Sequence, residues 1–328
     1  MATNDVGTKY PLSALTDIRY PVSDTAVETL KRLGLTTELM NAYPEMVTAL
    51  WDLAISGHSP SCTDEHIPDF AETDFAALGE DFVWLNVAAT DEDFRKLSIA
   101  EIVGYMDLVR EMPRMKQIVM HAGHKRWVDK TPAAGRQGDY GLMIDSIRQI
   151  ADAAAKWGLE IVVENDYMSW PRGRKMSPEE KLSRRLDDGK VPLDIPADQV
   201  DWANTTQAFG VAPEEWIQIC EDVDRENVRL CLDPSHACTH VHTVADPERR
   251  KEEIMAFVSR PELIGHVHWS DNFLDDNLGR MDSHMLIGKG TLPVEFHRTI
   301  KGLDATLLLE HFYTVEDLEE ELEYIARL

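Results

Sequence analysis

The sequence predicts an α/β chain of the (β/α)8 type, a TIM barrel, with a long insertion after strand 5. Two observations predict it. Short apolar runs rich in β-branched residues alternate with longer stretches at helical spacing, and eight such runs can be counted. That alternation argues for βα units and a parallel sheet. Strands covered on both faces read as nearly continuous apolar runs, as these do. An open doubly wound sheet usually has five or six strands and a glycine-rich phosphate loop, and the chain has no GxGxxG or P-loop motif. With 328 residues, 43% of them hydrophobic, one barrel domain over 1–328 is expected.

The strand candidates start with two weak runs, 12–18 and 35–39. Six clear ones follow: 82–87 (FVWLNV), 117–121 (QIVMH), 159–164 (LEIVVE), 228–233 (VRLCLD), 263–268 (LIGHVH) and 305–310 (ATLLLE). Helices are expected near 23–33, 98–111, 140–157, 213–226, 247–259 and 315–326. Pro213 just inside a helix start, and Asp246 before Pro247, are N-terminal signals. The stretch 43–75 is read as the second helix and an excursion before the third strand. The connection 165–212 is too long for a simple loop and carries Trp170, Arg172, Arg174, Lys175 and Trp202. Long insertions in compact domains are usually functional, and a loop after a barrel strand lies at the active-site face. A lid or substrate-binding excursion is therefore expected there, with Trp170 stacking on a ring and Arg172, Arg174 and Lys175 holding an anionic group. A solvated loop face is the plainer alternative for the basic run.

Charge narrows the partners. Lys and Arg number 33 against 59 Asp and Glu, a formal net charge of −26. Such a surface disfavours nucleic acid, whose binding depends on cations neutralising phosphates. No apolar run approaches a membrane span. The first ten residues are polar, and the four cysteines form no CxxC pair; both point to a cytoplasmic protein. A small-molecule substrate and a homo-oligomer are the expectations, with room left for a small partner subunit.

The chemistry shows in how the apolar runs end. Five consecutive runs finish on His121, Glu164, Asp233, His268 and Glu310. In a closed parallel barrel all strand C-termini face one mouth, so these side chains converge. One strand-end carboxylate alone is more often a helix cap or a surface charge. Five together are costly unless a cation pairs them. Glu164, Asp233, His268 and Glu310 are therefore read as a divalent-metal site. Three carboxylates and one imidazole favour Mn²⁺ or Mg²⁺, with Zn²⁺ or Co²⁺ next. Nearby candidates are His236 in DPSHACTH, Asp282 and His284 in DSH, and Asp271 in HWSDN. Gly288 and Gly290 flank Lys289, as a close approach to a ligand or a simple turn would require.

The ordered motifs LEIVVEN, CLDPSHA, HVHWSDN, DSHMLIGKG and LLLEHF resemble the xylose-isomerase-like barrel superfamily from about residue 82 onward. Sugar-phosphate isomerases and epimerases, inosose dehydratases and the AP-endonuclease family belong to it. In its ketose epimerases the resemblance implies one metal on Glu164, Asp233, His268 and Glu310, the two glutamates acting as acid and base and His236 contacting substrate. The expected function is then proton abstraction next to a carbonyl of a sugar or cyclitol, giving an isomerase, epimerase or lyase, with His236 and His121 polarising hydroxyls. In its AP-endonuclease members the resemblance implies three zinc ions, adding His121, His236, Asp282 and His284. One further ligand there is a histidine before the third strand. On the strand assignment above that position falls on Glu80, which counts against a multi-zinc phosphodiester hydrolase. A non-catalytic sugar- or metal-binding barrel is the third reading.

Overall fold

The computed structural model describes residues 13–14, 24–40, 44–62, 84–128, 133–177, 190–310 and 314–328. Eight parallel strands form the sheet: β1 (Ser13–Ala14), β2 (Thr37–Leu39), β3 (Ala54–His58), β4 (Gln117–His121), β5 (Glu160–Glu164), β6 (Val228–Leu232), β7 (Ile264–Trp269) and β8 (Thr306–Leu309). Their order is β1-β8-β7-β6-β5-β4-β3-β2. The two ends, β1 and β2, lie against each other, so the sheet is a nearly closed barrel. Helices α1 (Asp24–Leu33), α2 (Pro44–Leu50), α3 (Glu92–Val109), α4 (Tyr140–Ala155), α5 (Pro213–Val223), α6 (Pro234–Val241), α7 (Pro247–Ile254), α8 (Val294–Lys301) and α9 (Val315–Arg327) connect the strands.

The third strand is the main departure from expectation. It is Ala54–His58 (AISGH), not 82–87. Within the latter run, Trp84 makes an isolated antiparallel bridge to Cys62, and the chain turns at Val87 and Ala88. Leu85, Val87 and Ala88 are buried all the same. Their apolarity serves packing of a loop and not a ladder. Helix α3 also begins six residues before the expected start, because Asp91 caps it by accepting from the Phe94 N–H at 2.9 Å. At the end of α5, Asp224 takes the left-handed conformation, φ 49°.

Side chains alternate across a strand, so every second residue enters the barrel. Three levels result. At the N-terminal end Gln117 bridges β4, β5, β7 and β8: its amide donates to Glu160 Oε2 (2.6 Å) and Gly265 O (2.9 Å) and accepts from Thr306 Oγ1 (2.8 Å). Above it Val119, Val162 and Cys231 pack as a small apolar cluster. Above that come His121, Glu164 and Asp233, two residues further along β4 and β5 and just past the end of β6. The opposite faces of the strands, such as Ile118, Val163, Val267 and Leu309, join the large core beneath the helices.

After β5 the described parts of the insertion are pinned to the barrel. Thr239 Oγ1 on α6 accepts from the Met168 N–H at 2.7 Å, and Arg280 donates to Leu193 O and Ile195 O at 2.7 and 2.8 Å. The insertion includes an antiparallel pair, Arg172–Lys175 with Lys190–Pro192, and Met176 and Val191 beside it pack with Leu278, Met281 and Met285.

Candidate metal centre

Asp233 shows how the local fold builds the site. It is the N-cap of α6, with Pro234 at the first helical position. Its Oδ1 accepts from the Ser235 and His236 N–H groups at 2.6 and 3.1 Å. Its Oδ2 is buried without a hydrogen-bond partner, 3.4 Å from His236 Nε2 and 3.5 Å from His284 Nε2. Cap and candidate ligand are one side chain with its two oxygens divided. Asn165 fixes the backbone here, accepting from the Asp233 N–H at 2.6 Å and donating to Asp233 O at 3.0 Å.

Glu164 is the hub. Its Oε1 lies 2.9 Å from His268 Nδ1 and 3.6 Å from His236 Nδ1, and its Oε2 lies 3.4 Å from His58 Nε2 and 3.7 Å from His121 Nε2. Glu310 Oε2 approaches His268 Nδ1 from its own side at 3.0 Å. Asp282 reaches His284 Nε2 at 2.9 Å and His236 Nε2 at 3.3 Å. The His284 backbone sits at φ 38°, a conformation that costs energy for a non-glycine residue and aims the ring inward.

These groups form three adjoining sets, in each of which all ligand atoms lie within 4.8 Å of one another: His58, His121 and Glu164; Glu164, Asp233, His268 and Glu310; and Asp233, His236, Asp282 and His284. Glu164 belongs to the first two and Asp233 to the last two. The residues fit divalent cations on two counts. Among the described residues, Asp233 Oδ2, Asp282 Oδ1, His284 Nε2 and Glu310 Oε2 are buried without hydrogen-bond partners. Each sits 2.9 to 3.5 Å from an opposite group of the site without a directed hydrogen bond, and a cation would satisfy the lone pairs left over. Second, the histidines are held from behind, as ligating imidazoles are. His58 Nδ1 meets Ser59 O at 2.9 Å, His236 Nδ1 meets Asn165 O at 2.8 Å, and His268 Nε2 meets Glu38 Oε1 at 3.1 Å. His121 Nδ1 faces Asp166 Oδ2 at 3.5 Å.

Electrostatics agree. Burial pushes Glu164 up, but His268 and His121 outweigh it and hold its carboxyl well below the usual range. Burial pulls His236 and His284 down, and the carboxylates around them, Asp233 and Asp282 for the one and Asp282 and Glu310 for the other, raise both well above an ordinary imidazole. Protons here stand where cations would, so metal uptake would release them.

All eight residues expected around the metal site (His121, Glu164, Asp233, His236, His268, Asp282, His284 and Glu310) are brought together. His58 and Asp166 were missed. His58 ends a strand interrupted by Gly57 and Ser56, and Asp166 lies two residues beyond β5. Glu38 and His266, buried in contact at 3.1 Å beneath His268, were missed as well. Glu80 lies outside the described residues, and the end of the third strand belongs to His58 instead.

Two expectations are corrected. Asp271 holds no ligand: its carboxylate is consumed by the N–H groups of Asn272 (2.8 Å), Gly288 (2.9 Å), Gly290 (3.1 Å) and Leu292 (3.1 Å). The glycines around Lys289 therefore form a turn, Gly288 at φ 86°. Trp170 is 3% exposed, donates to Thr239 O at 2.8 Å, and is covered by the Arg280 guanidinium at 3.9 Å and by Trp202; no ring face is left for a substrate. Arg172, Arg174 and Lys175 are all exposed on the hairpin; partial burial of the guanidinium lowers the Arg172 pKa, and the Asp282 carboxylate works against it.

The description of one family model, xylose isomerase-like TIM barrel, fits residues 24–183 and 201–328. An uncharacterised protein, MJ1311 of Methanocaldococcus jannaschii, is 24% identical over 211 residues, covering 60% of this chain and 64% of that protein. The chain thus spans less than two thirds of its curated relative. Among solved structures, a D-tagatose 3-epimerase-like protein superposes with a TM-score of 0.57 at 18% identity, over 96% of this chain and 99% of the other. The 3-keto-D-glucoside 4-epimerase YcjR of E. coli does so with 0.57 at 13% identity, over 97% and 99%. Those two likenesses concern the fold; the family match covers most of the chain, and the chain belongs to the xylose isomerase-like TIM barrel family.

Proposed function

We propose that this chain is a multinuclear divalent-metal hydrolase of small phosphate esters. The observation that supports the reading is His58. With it, nine donors make three adjoining sets joined through Glu164 and Asp233. Five are imidazoles and four are carboxylates, a donor set that weighs toward Zn²⁺ over the Mg²⁺ or Mn²⁺ expected from four ligands. Bound divalent ions at such spacing would polarise phosphoryl oxygens and supply hydroxide at neutral pH.

The chain's own residues do the rest. Glu164 has both oxygens committed to histidines, which suits a bridging ligand better than a base that must leave its partners. Glu310 is less buried than Glu164, its Oε2 3.0 Å from His268 Nδ1, and stands where a proton could be accepted from a nucleophile or given to a leaving group. Asp166 stands 3.5 Å from His121 Nδ1 and orients it, and Arg172 is near enough for the Asp282 carboxylate to act on its charge. The net charge of −26 favours a small ester over a duplex.

One observation favours a second reading, the metal-dependent sugar or cyclitol isomerase, epimerase or lyase. Glu164 and Glu310 approach the same His268 Nδ1 from two sides, at 2.9 and 3.0 Å, as an acid/base pair around one metal would. Elemental analysis of chelator-free protein, then assays with bis(4-nitrophenyl) phosphate and with ketoses in deuterated water, separates the two. Two or three ions per chain and ester hydrolysis abolished by His58→Ala support the hydrolase. One ion per chain, with deuterium wash-in that survives His58→Ala and is lost in Glu310→Gln, overturns it for the isomerase.

A further inference from the structure

A cleft of about 570 Å³ of atom-free space, part of it open to solvent, abuts the first ligand set. His121 and Asp166 form its shared wall with the metal centre, and Trp84, Trp127, His124 and Tyr167 are among its other walls. Trp84 and Trp127 are stacked, centroids 5.5 Å apart at 26°, and His124 meets Trp127 edge-on at 3.7 Å. Leu85, Val87 and Ile102 add apolar lining. Among the described residues that line the cleft there is no Lys or Arg, so it is not built for a phosphate.

Two features mark it as a prepared site. The wall is rigid: Asn86, 1% exposed, donates to His124 O (3.1 Å) and Gly135 O (2.9 Å) and accepts from the N–H groups of Ala88 (3.1 Å) and His124 (3.0 Å). Within that wall, His124 Nδ1 and Trp127 Nε1 are buried without hydrogen-bond partners. Buried polar atoms of this kind are normally satisfied, and a ring that uncovers them as it seats would meet a donor in Trp127 Nε1 and a second polar atom in His124 Nδ1. Indole walls with a few polar atoms suit a flat ring, which gains stacking and edge recognition together.

We propose that this cleft takes an uncharged aromatic or heteroaromatic ring of the substrate, seated against the indole pair while the ester group reaches the metals. The assignment rests on the hydrolase reading for the ester but not for the ring. A nucleobase and a simple aryl group share this chemistry.

The test is binding, not turnover. The full-length metal-loaded chain is titrated with adenosine, 4-nitrophenol and methyl β-D-glucopyranoside, followed by calorimetry and, for adenosine, by tryptophan fluorescence. Saturable binding of adenosine or 4-nitrophenol, weakened about tenfold or more by Trp127→Leu with inorganic phosphate affinity unchanged, supports the proposal. The preferred ring then separates the nucleobase from the aryl source. Binding of the glucoside alone, or no aromatic binding by the wild type at millimolar concentration, overturns it. The wild-type arm decides this even if Trp127→Leu does not fold. Aromatic binding without phosphoester turnover would sink the hydrolase reading and leave the ring site standing.

Discussion

Asp233→Asn separates the two duties of one carboxylate. The cap uses Oδ1, which accepts from two N–H groups, while Oδ2 faces His236 and His284. Asn retains an Oδ1 acceptor and ranks with Asp as an N-cap. Metal-free Asp233→Asn should therefore keep the cap and lose only the attraction of Oδ2 for the two imidazoles, so it should melt above Asp233→Ala. Asp233→Ala loses the cap and so leaves two buried N–H groups unpaired, about 2–3 kcal/mol in all. At about 2 °C per kcal/mol for a chain of this size, its thermal midpoint should drop roughly 4–6 °C. The metal response is the reverse of graded: both variants remove an anionic ligand shared by two of the three sets, so both should lose at least one ion per chain. Calorimetry of chelated protein and elemental analysis of loaded protein read the two effects separately. An Asp233→Asn protein that keeps its full metal complement, or that melts as low as Asp233→Ala, would refute the division.

Three other predictions follow from the same geometry. Glu38→Gln should weaken metal binding by about 10–100-fold, because the carboxylate behind His268 Nε2 becomes a neutral amide; an unchanged affinity in competition with a chelating dye would remove Glu38 from that role. Burial first, and the nearby Arg250 and Arg280, push the His242 pKa down to about 4, below its unfolded value, so its contribution is present above pH 6.5 and is lost as pH falls toward 4. His242→Gln should flatten that acid-side fall by up to about 3 kcal/mol, measured by denaturant titration at pH 7 and pH 4.5; equal pH slopes would count against it. Gly288→Ala should destabilise by about 1–3 kcal/mol, since φ is 86° and the new Cβ would come 2.7 Å from the Tyr324 ring; a neutral effect on the unfolding midpoint would mean that the turn is not under that constraint.

Much of this centre can be read from residues alone because barrel strands end where the chemistry begins. QIVMH, LEIVVE, VRLCLD, LIGHVH and ATLLLE each close an apolar run with a ligand type, and burial of both strand faces makes such runs conspicuous. His58 escaped because its strand, AISGH, has Gly57 and Ser56 where a β-branched residue would announce a ladder. FVWLNV looked more strand-like and packs as a loop. Glu38 and His266 were hidden for a related reason: inward positions of a barrel alternate with outward apolar ones, and only the register tells which face a polar residue occupies. Asp271 drew attention through its neighbourhood, yet its oxygens serve a turn. Trp170 looked like part of a substrate clamp with Arg172, Arg174 and Lys175 because composition does not reveal that an indole is covered by Arg280.

The three ligand sets form a chain and not a closed cluster. Glu164 and Asp233 are the links, the middle set needs only residues borne on or just beyond β5 to β8, and the outer sets hang from it by one shared carboxylate each. Either end is therefore detachable. Loss of His58 on β3 would strip one terminal position, loss of His284 the other, and in both cases the four-residue middle set would survive intact. Such a scaffold would let single substitutions change the number of ions it could hold without rebuilding its core.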